Sequence, residues 1–194
     1  MNRTTVLVVC ALAFALCTGP ALAATTQTPP PADTLKVDYF ANANTAGAPD
    51  ATVRITNPNT GGGNVCASIF VFDGNQEMTE CCSCLETPDG LQTFSVNANL
   101  TNNPLTGKLL TTGLIKIVST TTVGGLCPLP TTFTPIAAVR AWATHIQNSN
   151  YSITETASQD ATLSSNEVWR LETECSAIKT DGSGSGVCSC GSGE

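Results

Sequence analysis

The sequence predicts a mainly β protein, an immunoglobulin-like β-sandwich with one C-terminal helix, reinforced by disulfides. Three observations carry this expectation. Short runs of β-branched and aromatic residues recur at spacings of about ten residues, separated by Gly, Pro and Asn turns. An even set of cysteines remains in a chain that opens with an export signal. The apolar period changes from two to helical spacing only after residue 164. Strands and helices do not alternate as in an α/β sheet, and the Cys…Trp…Cys spacing of antibody domains is absent, so the likeness to immunoglobulins is one of architecture.

Taken in order, residues 1–23 read as a signal peptide: Arg3 precedes the apolar run TVLVVCALAFALC, and Ala21-Leu22-Ala23 is a small-x-small cleavage site. Leu16 before Cys17 argues against a lipid anchor, and no later run approaches the ~20 apolar residues of a membrane-spanning helix. The expected product is secreted, extracellular or held in the cell envelope, with no transmembrane segment in the mature chain. Residues 24–34, ATTQTPPPADT, form a Pro/Thr-rich flexible leader of polyproline character. Residues 35–194 are then expected to fold as a single domain, long enough to bury a core.

Within that domain, 35–40 and 51–56 read as strands. The apolar run Val65 to Phe72, the turn Asp73-Gly74-Asn75 and the return from Gln76 to Cys84 form a β-hairpin. Thr87-Pro88-Asp89-Gly90 is a turn in which Pro88 presets one corner and Gly90 accommodates the other. Leu91 to Val96 follows as a strand, then a polar loop over 97–107, and a strand whose core is Leu114 to Val118. The Gly- and Pro-broken stretch 121–135 needs a pin, which Cys127 supplies. In 136–146, Ile136, Trp142 and Ile146 share one face while Val139 and His145 share the other, with Trp142 and Trp169 expected to pack in the core. Ser164-Ser165-Asn166-Glu167 is a capping box, and Val168, Leu171, Cys175 and Ile178 recur at helical spacing, predicting a helix over 165–179 before a Cys-x-Cys tail.

Removing Cys10 and Cys17 with the signal leaves Cys66, Cys81, Cys82, Cys84, Cys127, Cys175, Cys188 and Cys190 as disulfide candidates. Cys82-x-Cys84 and Cys188-x-Cys190 each place two sulfurs on one face of an extended strand. Adjacent Cys81 and Cys82 point to opposite faces and need different partners. Proximity favours one thiol of 81–84 pairing with Cys66 across the hairpin, and Cys175 pairing with Cys188 or Cys190. Zinc sites favour C-x₂₋₄-C pairs with histidine, and this chain has one histidine, so no metal or other cofactor is expected.

Against fifteen acidic side chains the mature chain carries seven basic ones, a balance of −8 that repels nucleic acid and anionic lipid surfaces. Asp73, Asn75 and Glu77 stand at alternate positions but lack the glycine and glutamate of a calcium loop. His145 has no G-x-S-x-G partner, and carboxylates such as Glu77, Glu80, Glu86, Glu155, Glu167, Glu172 and Glu174 form no distinctive pair. No catalytic residue is assigned.

The runs VRITNP (53–58), CASIFVFD (66–73), QEMTECCSC (76–84), GLIKIVS (113–119), RAWATHIQ (140–147) and GVCSCG (186–191) together resemble a group of predicted secreted bacterial proteins of unknown function. The resemblance covers nearly all of the mature chain. It implies export and carries no activity, cofactor or site.

The functional expectation is therefore a non-enzymatic secreted or cell-surface structural or binding module. One alternative is a subunit of an extracellular filament or surface layer that adds a strand from residues 24–40 to a neighbouring copy. Another is a carbohydrate-binding module using an exposed Trp142 or Tyr151. Partners are then other copies of the chain or a cell-surface component.

Overall fold

A computed structural model describes residues 33–101, 109–181 and 188–190. The expected signal peptide over 1–23, residues 24–32 of the expected leader, residues 102–108, the 182–187 Gly/Ser run and residues 191–194 lie outside the described residues. Among the described residues nine strands and two helices follow in order: β1 (Leu35–Phe40), β2 (Thr52–Thr56), β3 (Val65–Phe72), β4 (Met78–Glu86), β5 (Leu91–Ser95), α1 (Val96–Asn99), β6 (Gly113–Thr120), β7 (Arg140–Gln147), β8 (Ser152–Ala157), β9 (Gln159–Ala161) and α2 (Ser165–Asp181). They make two antiparallel sheets, one in the order β4-β3-β6-β1-β9 and one in the order β5-β2-β7-β8.

β3 explains how the layers stack. All eight of its residues are buried, because both faces of the first sheet are covered. Ala67, Ile69 and Val71 face the second sheet, where Val53, Ile55, Phe94, Ala141 and Ala143 complete one core. Phe70 and Phe72 face the other way, into a second core that Leu171, Cys175 and Ile178 of α2 share with Leu35, Cys81 and Val118. A strand buried on both sides reads as a continuous apolar run without alternation, which is the pattern of VCASIFVF.

The helix starts as its sequence predicts, with Ser164 Oγ accepting from the Glu167 N–H at 3.1 Å. It runs to Asp181, two residues beyond the predicted end, and buries Leu171, Cys175 and Ile178. Lys116 on β6 pairs with Glu167 in its first turn, and the Lys116 ammonium lies 4.7 Å from the Phe72 ring centre. The helix is thus docked by apolar burial, an ion pair and a disulfide together.

Several local expectations change. The left-handed corner of the 87–90 turn is at Asp89, with φ 59°, while Gly90 is required for space: a Cβ there would lie 2.8 Å from Thr87 Oγ1. The polar loop after β5 begins with α1, whose N–H of Ala98 is capped by Ser95 Oγ at 2.8 Å. Trp142 stands on the side of β7 turned away from the core and is 36% exposed, whereas Ile146, at the strand's end, joins the inner core. Ile146 is buried because the 41–50 loop closes over the strand's end, with Asn42 Nδ2 donating to Ile146 O at 2.8 Å. Trp169 is 68% exposed on α2. Neither tryptophan packs in the core.

Strand β1 lies inside its own sheet, pairing with β6 over all six residues and with β9 over Leu35 to Val37. A strand donated to a neighbour from 24–40 would have to leave that position.

Gly113 opens β6 where the chain passes closest to its neighbours. A Cβ there would meet Phe72 O at 2.5 Å and the Phe40 ring at 2.6 Å. Gly113→Ala is expected to destabilise the fold by about 1–3 kcal/mol through overpacking, measured by urea unfolding.

Candidate binding pocket

The outer face of the first sheet is covered by α2 at one end and by the 121–135 loop at the other, and a cleft remains between them. Its volume is about 270 Å³, just below the ~300–1,000 Å³ typical of sites for drug-sized ligands. The floor is a row of hydroxyls across three strands: Ser68 Oγ of β3 lies 3.1 Å from Ser83 Oγ of β4 and 3.3 Å from Thr120 Oγ1 of β6. Register builds this row, since Ser68 stands opposite Ser83 and the neighbouring Cys66 opposite Thr120.

The loop wall adds the hydroxyls of Thr121, Thr132 and Thr134 and the apolar surfaces of Val123, Pro128, Pro130 and Phe133. Glu172 of α2 forms the rim. Its Oε1 accepts from the Phe133 N–H at 2.9 Å, tying helix to loop. Beyond Glu172 the surface continues as a shallower hollow lined by Thr131, Thr173, Ser176, Thr180 and the exposed Trp169. No Lys, Arg or His lines either hollow, so the electrostatics favour an uncharged ligand over an anion.

Two disulfides fix the walls. Cys66 bonds Cys127, pinning the loop as its position predicted, and Cys81 bonds Cys175, pinning the helix. The other two links, Cys82–Cys188 and Cys84–Cys190, run in step along β4. They lay the tail across the open side of the sandwich, where Asn99 Nδ2 donates to Ser189 Oγ at 2.7 Å.

All eight cysteines from Cys66 onward are thus paired, and adjacent Cys81 and Cys82 take different partners. The pairings expected from proximity are not the ones found. Cys66 faces the outer side of its sheet with Leu85 opposite, whereas Cys82 and Cys84 face the inner core opposite Ile69 and Ala67. Cys81 shares the outer face with Cys66 but stands opposite Phe70, four residues along the strand. Cys175, reached by the helix, is the thiol above it.

His145 is buried and stacked on Tyr39 at 4.3 Å. Its Nε2 lies 2.8 Å from Thr156 Oγ1 and 3.4 Å from Asp38 Oδ1. A hydroxyl–histidine–carboxylate relay needs the hydroxyl and the acid on different ring nitrogens. Here both meet Nε2, while the buried Nδ1 has no hydrogen-bond partner. The cluster therefore packs β1 against β7 and does not form a relay.

Asp73 Oδ1 accepts from the N–H groups of Asn75 and Glu77 at 2.8 and 3.0 Å, a side-chain-closed hairpin turn. Among the other carboxylates, Glu155 pairs with Arg54, Glu167 with Lys116 and Glu174 with Arg170. Only Glu172 lines the pocket. Among the described residues no group of three or more His, Cys, Asp or Glu is placed to hold a metal ion.

Glu86 is a separate feature. It ends β4 on the inner face, is 1% exposed, and neither carboxyl oxygen has a hydrogen-bond partner. Burial lifts its pKa from 4.5 to about 8.

Comparison of the chain with known protein families, curated proteins and solved structures finds no match.

Proposed function

We propose that the protein is an exported, non-enzymatic binding module whose pocket takes one uncharged polyhydroxy unit, such as a sugar residue presented on a glycan. The observation that carries this is the hydroxyl row Ser83, Ser68 and Thr120 on the pocket floor. Ser68 and Thr120 are buried within the floor, so Ser83 is the hydroxyl of the row that meets a ligand, and as one donor and two acceptors it keeps capacity while bonded to Ser68. Apolar Phe133 and the prolines suit the C–H face of a ring, and Trp169 lies in the adjoining hollow. This moves the carbohydrate reading from Trp142 and Tyr151 to the outer face of the first sheet.

The architecture is read as immunoglobulin-like in the sense of two antiparallel sheets packed face to face. An extracellular or cell-envelope location is supported by the four disulfides. Among the described residues no helix is long and apolar enough to cross a membrane.

The test uses Trp142→Phe, which leaves Trp169 as the sole tryptophan reporter. Titration with monosaccharides and a glycan panel is expected to give saturable fluorescence changes for at least one uncharged sugar. Ser83→Ala should weaken that binding about tenfold, the scale of one to two lost hydrogen bonds. Absence of binding across the panel, or unchanged affinity in folded Ser83→Ala, contradicts the proposal.

A further inference from the structure

An antiparallel sandwich has four sheet edges, each a row of unpaired peptide groups open to another strand unless something blocks it. Here the edges are β4 and β9 in one sheet, and β5 and β8 in the other. Three are closed by the chain's own devices. The tail is bonded along β4 through Cys188 and Cys190. None of the five residues of β5 is exposed, and α1, which continues it, meets the same tail through Asn99 and Ser189. β9 is only three residues long and carries Asp160, paired to the buried Lys36.

β8 has none of these protections. It is six residues long, SITETA, and every one of them is exposed. It pairs with β7 over its whole length without a register shift. It contains no Pro, Gly, Lys or Arg, and its one charge, Glu155, is matched by Arg54 two strands away. Ile153 is 60% exposed on it. Trp142, on the neighbouring strand opposite Ala157, is half-exposed, and so is Tyr39, whose hydroxyl accepts from Gln147.

Which peptide groups face outward follows from the ladder. The Ser158 N–H donates to Ala141 O at 3.0 Å. Hydrogen-bonded and non-bonded pairs alternate in an antiparallel ladder, so Thr154 and Thr156 bond inward to β7. Ile153, Glu155 and Ala157 therefore turn their N–H and C=O groups to the open side.

We propose that this edge joins a second copy of the chain, β8 against β8, about a two-fold axis normal to the sheet. Such an axis keeps both outer faces on the same side, so residues that oppose each other must share parity. Centring the axis on Glu155 would set two like charges directly opposite, which is destabilising. Centring it on Thr154 pairs Ile153 with Glu155 of the other copy twice over, using the outward peptide groups of both. Each Glu155 then faces an isoleucine and keeps its own Arg54. The result is one continuous eight-stranded sheet with an isologous, closed contact.

A contact built mainly on two short strands falls below the ~1,200 Å² of stable interfaces, and the acidic chain opposes association over longer range. The expected dimer is therefore concentration- and salt-dependent.

The test is sedimentation equilibrium of the chain from residue 24, produced in a bacterial periplasm so that its disulfides form. Wild type is expected to show a reversible monomer–dimer equilibrium, with dimer increasing as salt screens the charge. Ile153→Pro removes an outward N–H, and Ile153→Lys adds a charge at the contact without altering the backbone. Both are expected to sediment as monomer, with wild-type circular dichroism. If the proline variant misfolds, the lysine variant decides. A wild type that stays monomeric at all concentrations and salts overturns the proposal, as do a dimer that survives Ile153→Lys and an open-ended series of larger species.

Discussion

Replacing Cys81 and Cys175 together by alanine is expected to lower the unfolding free energy by about 3 kcal/mol, with α2 undocking before the sheets separate. The size follows from how the links are nested. Taken alone, Cys81–Cys175 closes a loop with a sequence separation of 94. Cys82–Cys188 already joins almost the same points, at a separation of 106. With that link intact, the additional circuit runs only from 81 to 82 and from 175 to 188, about 15 residues, for which the chain-entropy model gives about 3 kcal/mol. Cys84–Cys190, two residues further along both segments, closes a still smaller circuit and is expected to contribute least on its own. Denaturant unfolding measures the loss. Binding of a dye specific for exposed apolar surface, below the main transition, would report Phe70, Phe72 and Leu171 uncovered as the helix lifts. An unchanged midpoint would show that the sulfur link does not hold the helix.

The second large effect is electrostatic. Folded Glu86 holds its proton up to about pH 8, whereas in the unfolded chain it ionises near the ordinary value of 4.5. Between those values the native state binds a proton that the unfolded state has released, so the contribution of Glu86 to stability is greatest at and below about pH 4.5 and falls as pH rises toward 8. At about 1.4 kcal/mol per pH unit, the loss is on the order of 5 kcal/mol once the window is crossed. Glu86→Gln keeps the shape and cannot ionise. The stability of wild type minus that of Glu86→Gln, measured by urea unfolding from pH 4 to about 9, should therefore decline through this window. A flat difference would mean that Glu86 finds compensation on ionising.

What could be read from the chain depended on whether the signal was local. The non-alternating run of β3 indicated a strand buried on both faces, and the Ser164–Glu167 cap with apolar residues at helical spacing located α2. Strands β8 and β9 gave no such signal. SITETA is exposed throughout, so nothing apolar alternates in it. The passage between sheets at Ser158 is made by hydrogen bonds to Ala141 and Asp38, two distant strands.

The cysteines divide in the same way. That all eight would pair followed from export and number, but which ones pair depended on register: one residue's difference in parity puts Cys66 and Cys82 on opposite faces. The pocket was the least legible feature. Ser68, Ser83 and Thr120 are common residues, far apart in sequence, and become a row only when β4, β3 and β6 align. Trp169 lay within an apolar pattern, and its exposure depends on which side of α2 meets the sheet.

The account rests on a scaffold in which sulfur links clamp the helix, the loop and the tail onto two packed sheets. Disulfide mapping of the native protein, with partial reduction to separate the links at the adjacent Cys81 and Cys82, tests it most directly. The account predicts Cys66–Cys127, Cys81–Cys175, Cys82–Cys188 and Cys84–Cys190 and no free thiol. Free thiols at these positions, or Cys66 joined to any of Cys81, Cys82 and Cys84, would contradict it.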